Sequence, residues 1–262
     1  MGIYFNPGNG SFTKDKNSQL YIDKTGLIEY LNRVICTNAN CISVSHARRF
    51  GKSHAAGMID AYYSRGCDSS ELFADSEIAA KDSYAVHLNK YNVIHIDVSS
   101  FWDAYKDNVI EKIQEYIYDE LKQVYGNQID YTKMISAVLM SVYNISGIPF
   151  VIIIDEWDCV IRNGGNKTLV HSYLQFLHLL FKSEESKSRI HTPTDSAFVY
   201  TLLFSILYEA VNHRNHTIYT ELCHIQAQVI VFCLPPLLSG IVFVIGLSVV
   251  ICLTYNSLCL SH

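Results

Sequence analysis

The sequence predicts an α/β fold in which a mainly parallel sheet is flanked by helices, and three observations carry that expectation. Short apolar or β-branched runs at 41–44, 92–98 and 150–154 alternate with longer stretches of helical periodicity, the pattern of strands joined through crossover helices. The run Phe150-Val151-Ile152-Ile153-Ile154 is apolar at every position instead of alternating, as a strand covered on both faces must be. Polar, chemically capable residues follow the first and the last of these runs directly, at the edge of a parallel sheet where ligands bind.

In chain order, residues 1–19 are rich in Gly, Asn, Ser and Lys and contain Pro7, which predicts loop. Asp23-Lys24-Thr25 opens a helix whose apolar stripe is Leu27, Ile28, Leu31, Val34 and Ile35, with Asp23 or Thr25 as its cap and capping favoured over nucleotide contact. Cys41-Ile42-Ser43-Val44 reads as a buried strand, and Ala55, Ala56, Met58, Ile59 and Tyr62 place a helix over 53–63. The stretch 66–83 reads as a linker with a short helical piece around Leu72, Phe73 and Ile78. Alternation over 92–98 predicts the next strand, running into Asp97, whose expected role is to cap the helix that follows. Val109, Ile113, Ile117, Leu121 and Val124 define an amphipathic helix, and 129–143 is read as another. Beyond a Gly164-Gly165 turn, 168–181 carries Leu169, Tyr173, Phe176, Leu177 and Leu180 at helical spacing. His171 and His178 lie on or beside that stripe without a third ligand, so they are read as core or surface residues and not as a metal site.

Two stretches carry chemistry. Ser43-Val44-Ser45-His46-Ala47-Arg48-Arg49-Phe50-Gly51-Lys52-Ser53 lies between a strand and a helix, the context of a phosphate loop. In such a loop the Gly lets backbone approach a phosphate, the Lys reaches the β/γ-phosphates and the Ser hydroxyl holds Mg²⁺. Gly51, Lys52 and Ser53 fill those roles, and Arg48 and Arg49 are counted with them as nucleotide-binding candidates. The first Gly of the full GxxxxGK[ST] pattern is replaced by His46, so this stretch alone does not exclude a basic loop opening an ordinary surface helix. The second stretch is Asp155-Glu156-Trp157-Asp158, acids emerging from a buried strand in the manner of a Walker B segment. There Asp155 supports Mg²⁺ and Glu156 polarises the attacking water. Taken together, the two stretches predict a P-loop NTPase-like fold with ATP and Mg²⁺ as cofactors.

Four blocks in order, Tyr21-Ile22-Asp23-Lys24-Thr25, Arg48-Arg49-Phe50-Gly51-Lys52-Ser53, Val93-Ile94-His95-Ile96-Asp97 and Ile152-Ile153-Ile154-Asp155-Glu156-Trp157-Asp158, resemble the bacterial AAA-ATPase-like family. Its members often carry a PD-(D/E)xK nuclease-like domain after the ATPase part, and the resemblance implies ATP binding. The family's loop reads RPRRFGKS, so His46 and Ala47 depart from it by replacing a cation and a rigid turn. The resemblance runs from the N-terminus to about Lys182.

Composition limits the rest. With 262 residues, about half of them apolar, the chain suffices for one sizeable core, and a net charge of −5 offers no bulk affinity for nucleic acid. Its 8 Cys form no CxxC pair or zinc spacing and are read as reduced or lipid-facing thiols. No cleaved signal opens the sequence. From 229 to 253 there is no charged residue, and a run of about 25 such residues is long enough to cross a bilayer. Pro235-Pro236 would break a helix, which leaves 237–255 as the expected transmembrane helix. The organisation expected is therefore a partial P-loop domain at 1–182, a linker or divergent segment at 183–228 and a hydrophobic tail at 229–262. The expected sheet is incomplete, lacking further strands after Asp158. The tail would act as a membrane anchor, with the nucleotide domain cytoplasmic because nearly all Lys and Arg lie on that side; without insertion the chain would be cytoplasmic.

Two functions from different classes follow. One is a Mg²⁺-dependent nucleoside triphosphatase, with Lys52 and the loop on the phosphates, Ser53 and Asp155 on the metal and Glu156 on the water. The other is a non-catalytic, membrane-attached interaction domain or a translated gene remnant. A nucleotide is the partner in the first, the membrane or an unidentified protein in the second.

Overall fold

The strands form where β-branched residues run unbroken, and all of them point the same way. In the computed structural model, which describes residues 2–35, 37, 41–46, 51–163, 166–181, 199–206 and 230–233, β1 (Cys41–His46), β2 (Asn92–Asp97), β3 (Phe150–Asp155), β4 (Val199–Ile206) and β5 (Ile230–Cys233) make one sheet of order β2-β3-β4-β1-β5. Every pairing is parallel, with Asp97 opposite Asp155 and Asp155 opposite Phe204. The C-terminal ends of these strands therefore share one rim.

Alternation along each strand divides the core into two layers. Ile94, Ile96, Phe150, Ile152 and Ile154 pack on one face against α6 (Val98–Tyr105), α7 (Val109–Tyr125), α8 (Ile135–Ser146) and α10 (Lys167–Phe181). Ile42, Val44, Val93, Val151 and Ile153 pack on the other with α2 (Gly26–Val34), α3 (Lys52–Tyr63) and two short helices, α4 (Ser70–Phe73) and α5 (Tyr84–His87), whose Phe73 and Tyr84 join the same cluster. All six residues of β3 are buried, as its unbroken apolar sequence requires.

Three readings of the sequence are corrected. Residues 1–19 contain a helix, α1 (Gly10–Lys16), because Phe12 is buried and stacks on Phe73 with ring centroids 4.9 Å apart; this tertiary contact outweighs a loop-like composition. The helix expected from 129 begins at Ile135, since the Asp130 carboxylate accepts from the Thr132 N–H and hydroxyl and holds a turn there. The sheet does not stop after Asp158. Val199–Ile206, inside the stretch read as a linker, is β4 between β3 and β1, and Ile230–Cys233, read as the start of the tail, is β5 beside β1. An uncharged apolar run suits lipid and the interior of a parallel sheet alike, so composition alone does not separate the two. The expected membrane helix 237–255 lies outside the described residues, and among those described no helix is long and apolar enough to cross a membrane.

The outer edge of β2 is covered by the N-terminal segment. Phe5 bridges Ile94 in antiparallel sense, the His95 N–H donates to the Tyr4 carbonyl, and the Asn6 N–H donates to that of Val93. Glu120 on α7 holds the segment in place, its carboxylate accepting from the N–H groups of Ile3, Tyr4 and Phe5 at 2.8, 3.0 and 2.6 Å. Hydrogen bonds to a charged group contribute about 1.5–3 kcal/mol, and this one is partly exposed. Glu120→Ala should therefore cost about 2 kcal/mol in urea unfolding and make residues 2–6 the first site of proteolytic cleavage; a variant as stable and as protease-resistant as the parent would refute the clamp.

Candidate nucleotide site

Gly51 precedes α3 with φ 76° and ψ 37°, a left-handed conformation that disfavours side chains. A Cβ there would also stand 2.5 Å from Lys24 Nζ, but that is the end of a flexible side chain that can move aside, so it is the backbone conformation that calls for glycine. Lys52 follows as the first residue of α3 and is buried. Ser53 comes next, and its hydroxyl donates to Asp155 Oδ2 at 2.7 Å. This contact joins the start of α3 to the end of β3 across 102 positions of sequence and across the intervening strand β4. Gly51, Lys52, Ser53, Asp155 and Glu156 all line one open cleft of about 1050 Å³ at the C-terminal rim. Arg48 and Arg49 lie outside the described residues.

Asp155 is buried, and burial is the main cause that raises its carboxyl pKa. The Ser53 hydroxyl and the charge of His95 work in the opposite direction, while Asp97 and Glu156 add to the rise. The other Asp155 oxygen, Oδ1, accepts from the Glu156 N–H at 3.0 Å. Glu156 has φ 50°, unusual for a residue with a side chain. Its carboxylate accepts from Arg162 Nη2 at 2.7 Å. Arg162 ends the short helix α9 (Cys159–Arg162), and its Nε also stands 3.9 Å from Asp158 Oδ2. Burial raises the Asp158 carboxyl pKa, with Arg162 pulling it back.

The neighbouring segments act structurally. Asp97 caps α6, accepting from the Ser99 N–H at 3.0 Å and from the hydroxyls of Ser99 and Ser100, in agreement with the capping role expected of it. Asp23 and Thr25 do not cap α2 through their side chains. They tie its start to the next segment instead: Asp23 accepts from the Thr25 and Glu77 N–H groups, and the Thr25 hydroxyl accepts from the Ile78 N–H. Below the rim, His95 on β2 pairs through Nδ1 with Asp60 on α3. Burial opposes the charged imidazole, but the Asp60 carboxylate outweighs it and the His95 pKa is raised.

Sequence reasoning missed Arg162, His95 with Asp60, and the approach of Lys24 to Gly51. Only Arg162 left a local signal, a cation four residues after Asp158, the spacing of an i,i+4 helical pair. Asp60 and His95 lie 35 positions apart, which no local pattern reports.

A family model described as "Predicted AAA-ATPase" matches residues 9–194, more than half of the 262 residues. The chain belongs to this AAA-ATPase-like family. The domain is accordingly a P-loop AAA-ATPase-like one, and Lys52 and Asp155 stand on its shared rim. Among solved structures, the chain is similar to the ORC2 protein of Aeropyrum pernix, solved as ADPNP-ADP complexes, at 14% identity and a TM-score of 0.45 over 86% of this chain and 51% of that one. It is also similar to C. elegans PCH-2, at 10% identity and a TM-score of 0.35 over 80% of this chain and 41% of the other. The chain thus spans about half, or less, of the length of those proteins. No curated protein gives a match.

The raised Asp155 pKa has a consequence for stability. A carboxyl whose pKa is higher in the folded state costs stability while it is charged, and the cost is relieved as the pH falls through the folded pKa. Asp155→Asn removes the charge, and with its amide oxygen turned to the Glu156 N–H its NH2 can donate to the Ser53 hydroxyl oxygen. Without divalent cation it should melt a few degrees higher than the parent at pH 8, with the difference shrinking on acidification. A lower melting temperature at pH 8 would contradict this account.

Proposed function

We propose that this AAA-ATPase-like domain binds ATP in the rim cleft and hydrolyses it with Mg²⁺. The observation that carries this reading is the 2.7 Å contact of Ser53 Oγ with Asp155 Oδ2, directly beside Lys52. It joins the hydroxyl of a phosphate loop to the acid of a distant strand in a single site. The Lys52 ammonium binds the β/γ-phosphates, and N–H groups at the start of α3 face the same anion. Gly51, in its left-handed conformation, keeps a side chain out of the loop.

The donor set fits Mg²⁺. Ser53 Oγ and Asp155 Oδ2 are hard oxygens of the type that cation takes, and a buried carboxylate with a raised pKa is one that a cation would return to its charged form. Ser53 and Asp155 would hold the ion, and it would supply neutralisation of the charge that develops on the phosphate. Glu156 is the group for orienting water.

Lys52→Ala tests the site. Charge-assisted contacts of this kind contribute about 1.5–3 kcal/mol, so equilibrium titration should find ATP affinity reduced about tenfold or more. Unchanged affinity in a folded variant would make Gly51-Lys52-Ser53 an ordinary helix start.

For location, we propose that 237–255 inserts into a bilayer, on the strength of its own charge-free sequence rich in Leu, Ile and Val. The full chain should then stay with membranes after carbonate extraction. Release into the carbonate supernatant as a monomer would refute the anchor.

A further inference from the structure

The start of α3 has two unlike sides. On one, Ser53 meets Asp155 at 2.7 Å, with Asp97 and Glu156 lining the same cleft. On the other, the next residue, His54, turns to α1, where its Nδ1 stands 2.6 Å from Asp15 Oδ1. Successive side chains of a helix point about 100° apart, so the first turn of α3 faces the acids with one residue and α1 with the next. Lys24 is on the His54 side: a Cβ on Gly51 would meet Lys24 Nζ at 2.5 Å and His54 Cδ2 at 3.6 Å. ATP with its β/γ-phosphates on Lys52 still has its α-phosphate and sugar to place. Carboxylates repel the first, so the rest of the molecule leaves toward Lys24 and His54.

His54 is prepared for a ligand in this position. It lines the cleft, and its side chain is 67% exposed against 19% for that of Asp15. The carboxylate is thus the anchored member of the pair and the ring the accessible one. A hydrogen bond at Nδ1 orients an imidazole and leaves Nε2 to act. A ribose hydroxyl is both donor and acceptor, so it pairs with Nε2 whether or not that nitrogen carries a proton.

We propose that this side of the cleft reads the sugar of the nucleotide: His54, oriented by Asp15, hydrogen-bonds a ribose hydroxyl through Nε2. The proposal rests on the nucleotide reading above and adds to it a preference for nucleotides that carry ribose hydroxyls. Asp15 touches no ligand and is a positioning residue acting through His54.

The test compares ATP, 2′,3′-dideoxy-ATP and inorganic triphosphate by equilibrium titration of the full chain with Mg²⁺ present, for the parent, H54F, H54Q and D15N, with a melting curve for each. The parent should bind ATP about fivefold or more tighter than the dideoxy analogue, the size of one hydrogen bond, because a site built to bond a hydroxyl rejects the ligand that lacks it. H54F keeps a ring without nitrogens and should lower ATP to the level of the analogue, while the analogue and triphosphate stay within about twofold of the parent. H54Q, with a donor and an acceptor, should restore part of the preference, and D15N, which loosens the ring, should lose part of it. Should H54F fail to fold, H54A is read in its place. A parent that binds ATP and the analogue alike, or a folded H54F that keeps the parent's ratio, overturns the proposal while the nucleotide site stands. Equal weakening of all three ligands by H54F would put the imidazole on phosphate and overturn it as well. If the parent binds none of the three, the nucleotide reading falls and the sugar contact falls with it.

Discussion

The hydrogen bond from Ser53 to Asp155 depends on the parallel register of the whole sheet, and the site's chemistry depends on that bond. Ser53 is the second residue of α3, the helix after β1, and Asp155 ends β3, with β4 between the two strands. Adjacent strands lie about 4.8 Å apart, so β1 and β3 are about two spacings apart, and the 2.7 Å contact is made from the start of α3 and not from β1 itself. A slip of one residue in either pairing would turn Asp155 to the opposite face. The buried run Phe150–Asp155 contributes to both core layers, with Phe150, Ile152 and Ile154 in one and Val151 and Ile153 in the other.

Burial at the rim gives the site a charge balance that favours an anion accompanied by a cation. Asp155 and Asp158 are both pushed towards their neutral forms by burial, and Asp97 and Glu156 stand close enough to add to the rise at Asp155. Lys52 and Arg162 are the cations of the same cleft. Asp60 raises the His95 pKa, and the interaction with His95 in turn works against the rise at Asp155. Asp97, Asp155, Glu156 and Asp158 therefore each have a cation or a donor near them.

Helix α3 serves the core and the site at once. Its Ala55, Ala56, Met58, Ile59, Tyr62 and Tyr63 are buried against the sheet, while Lys52 and Ser53 at its start line the cleft. The buried Tyr62 and Tyr63 hydroxyls are bonded to Asn32 on α2, which fixes the helix along its axis. Lys52 and Ser53 are thereby carried on a helix that is anchored to α2 near its other end.

Much of this was legible in the residues alone. The unbroken run in β3, the alternation in β2 and the stripes of α3, α7 and α10 report their own environment, because periodicity is a local property of the chain. Gly51-Lys52-Ser53 and Asp155-Glu156 were also readable, since a helix N-terminus and a strand's C-terminal edge each have local signatures. The sequence by itself thus determined the α/β class, the family resemblance and the residues that could form a site. Only the tertiary structure decided that β4 and β5 continue the sheet, since an apolar run is the same string whether it faces lipid or two layers of protein. It alone also placed Lys24 against Gly51, Asp60 against His95, and Arg162 on the carboxylate that sequence had assigned to water. Those contacts depend on distances between segments far apart in the chain or on a turn whose backbone φ no composition specifies, and such quantities come into being only when the sheet closes its register.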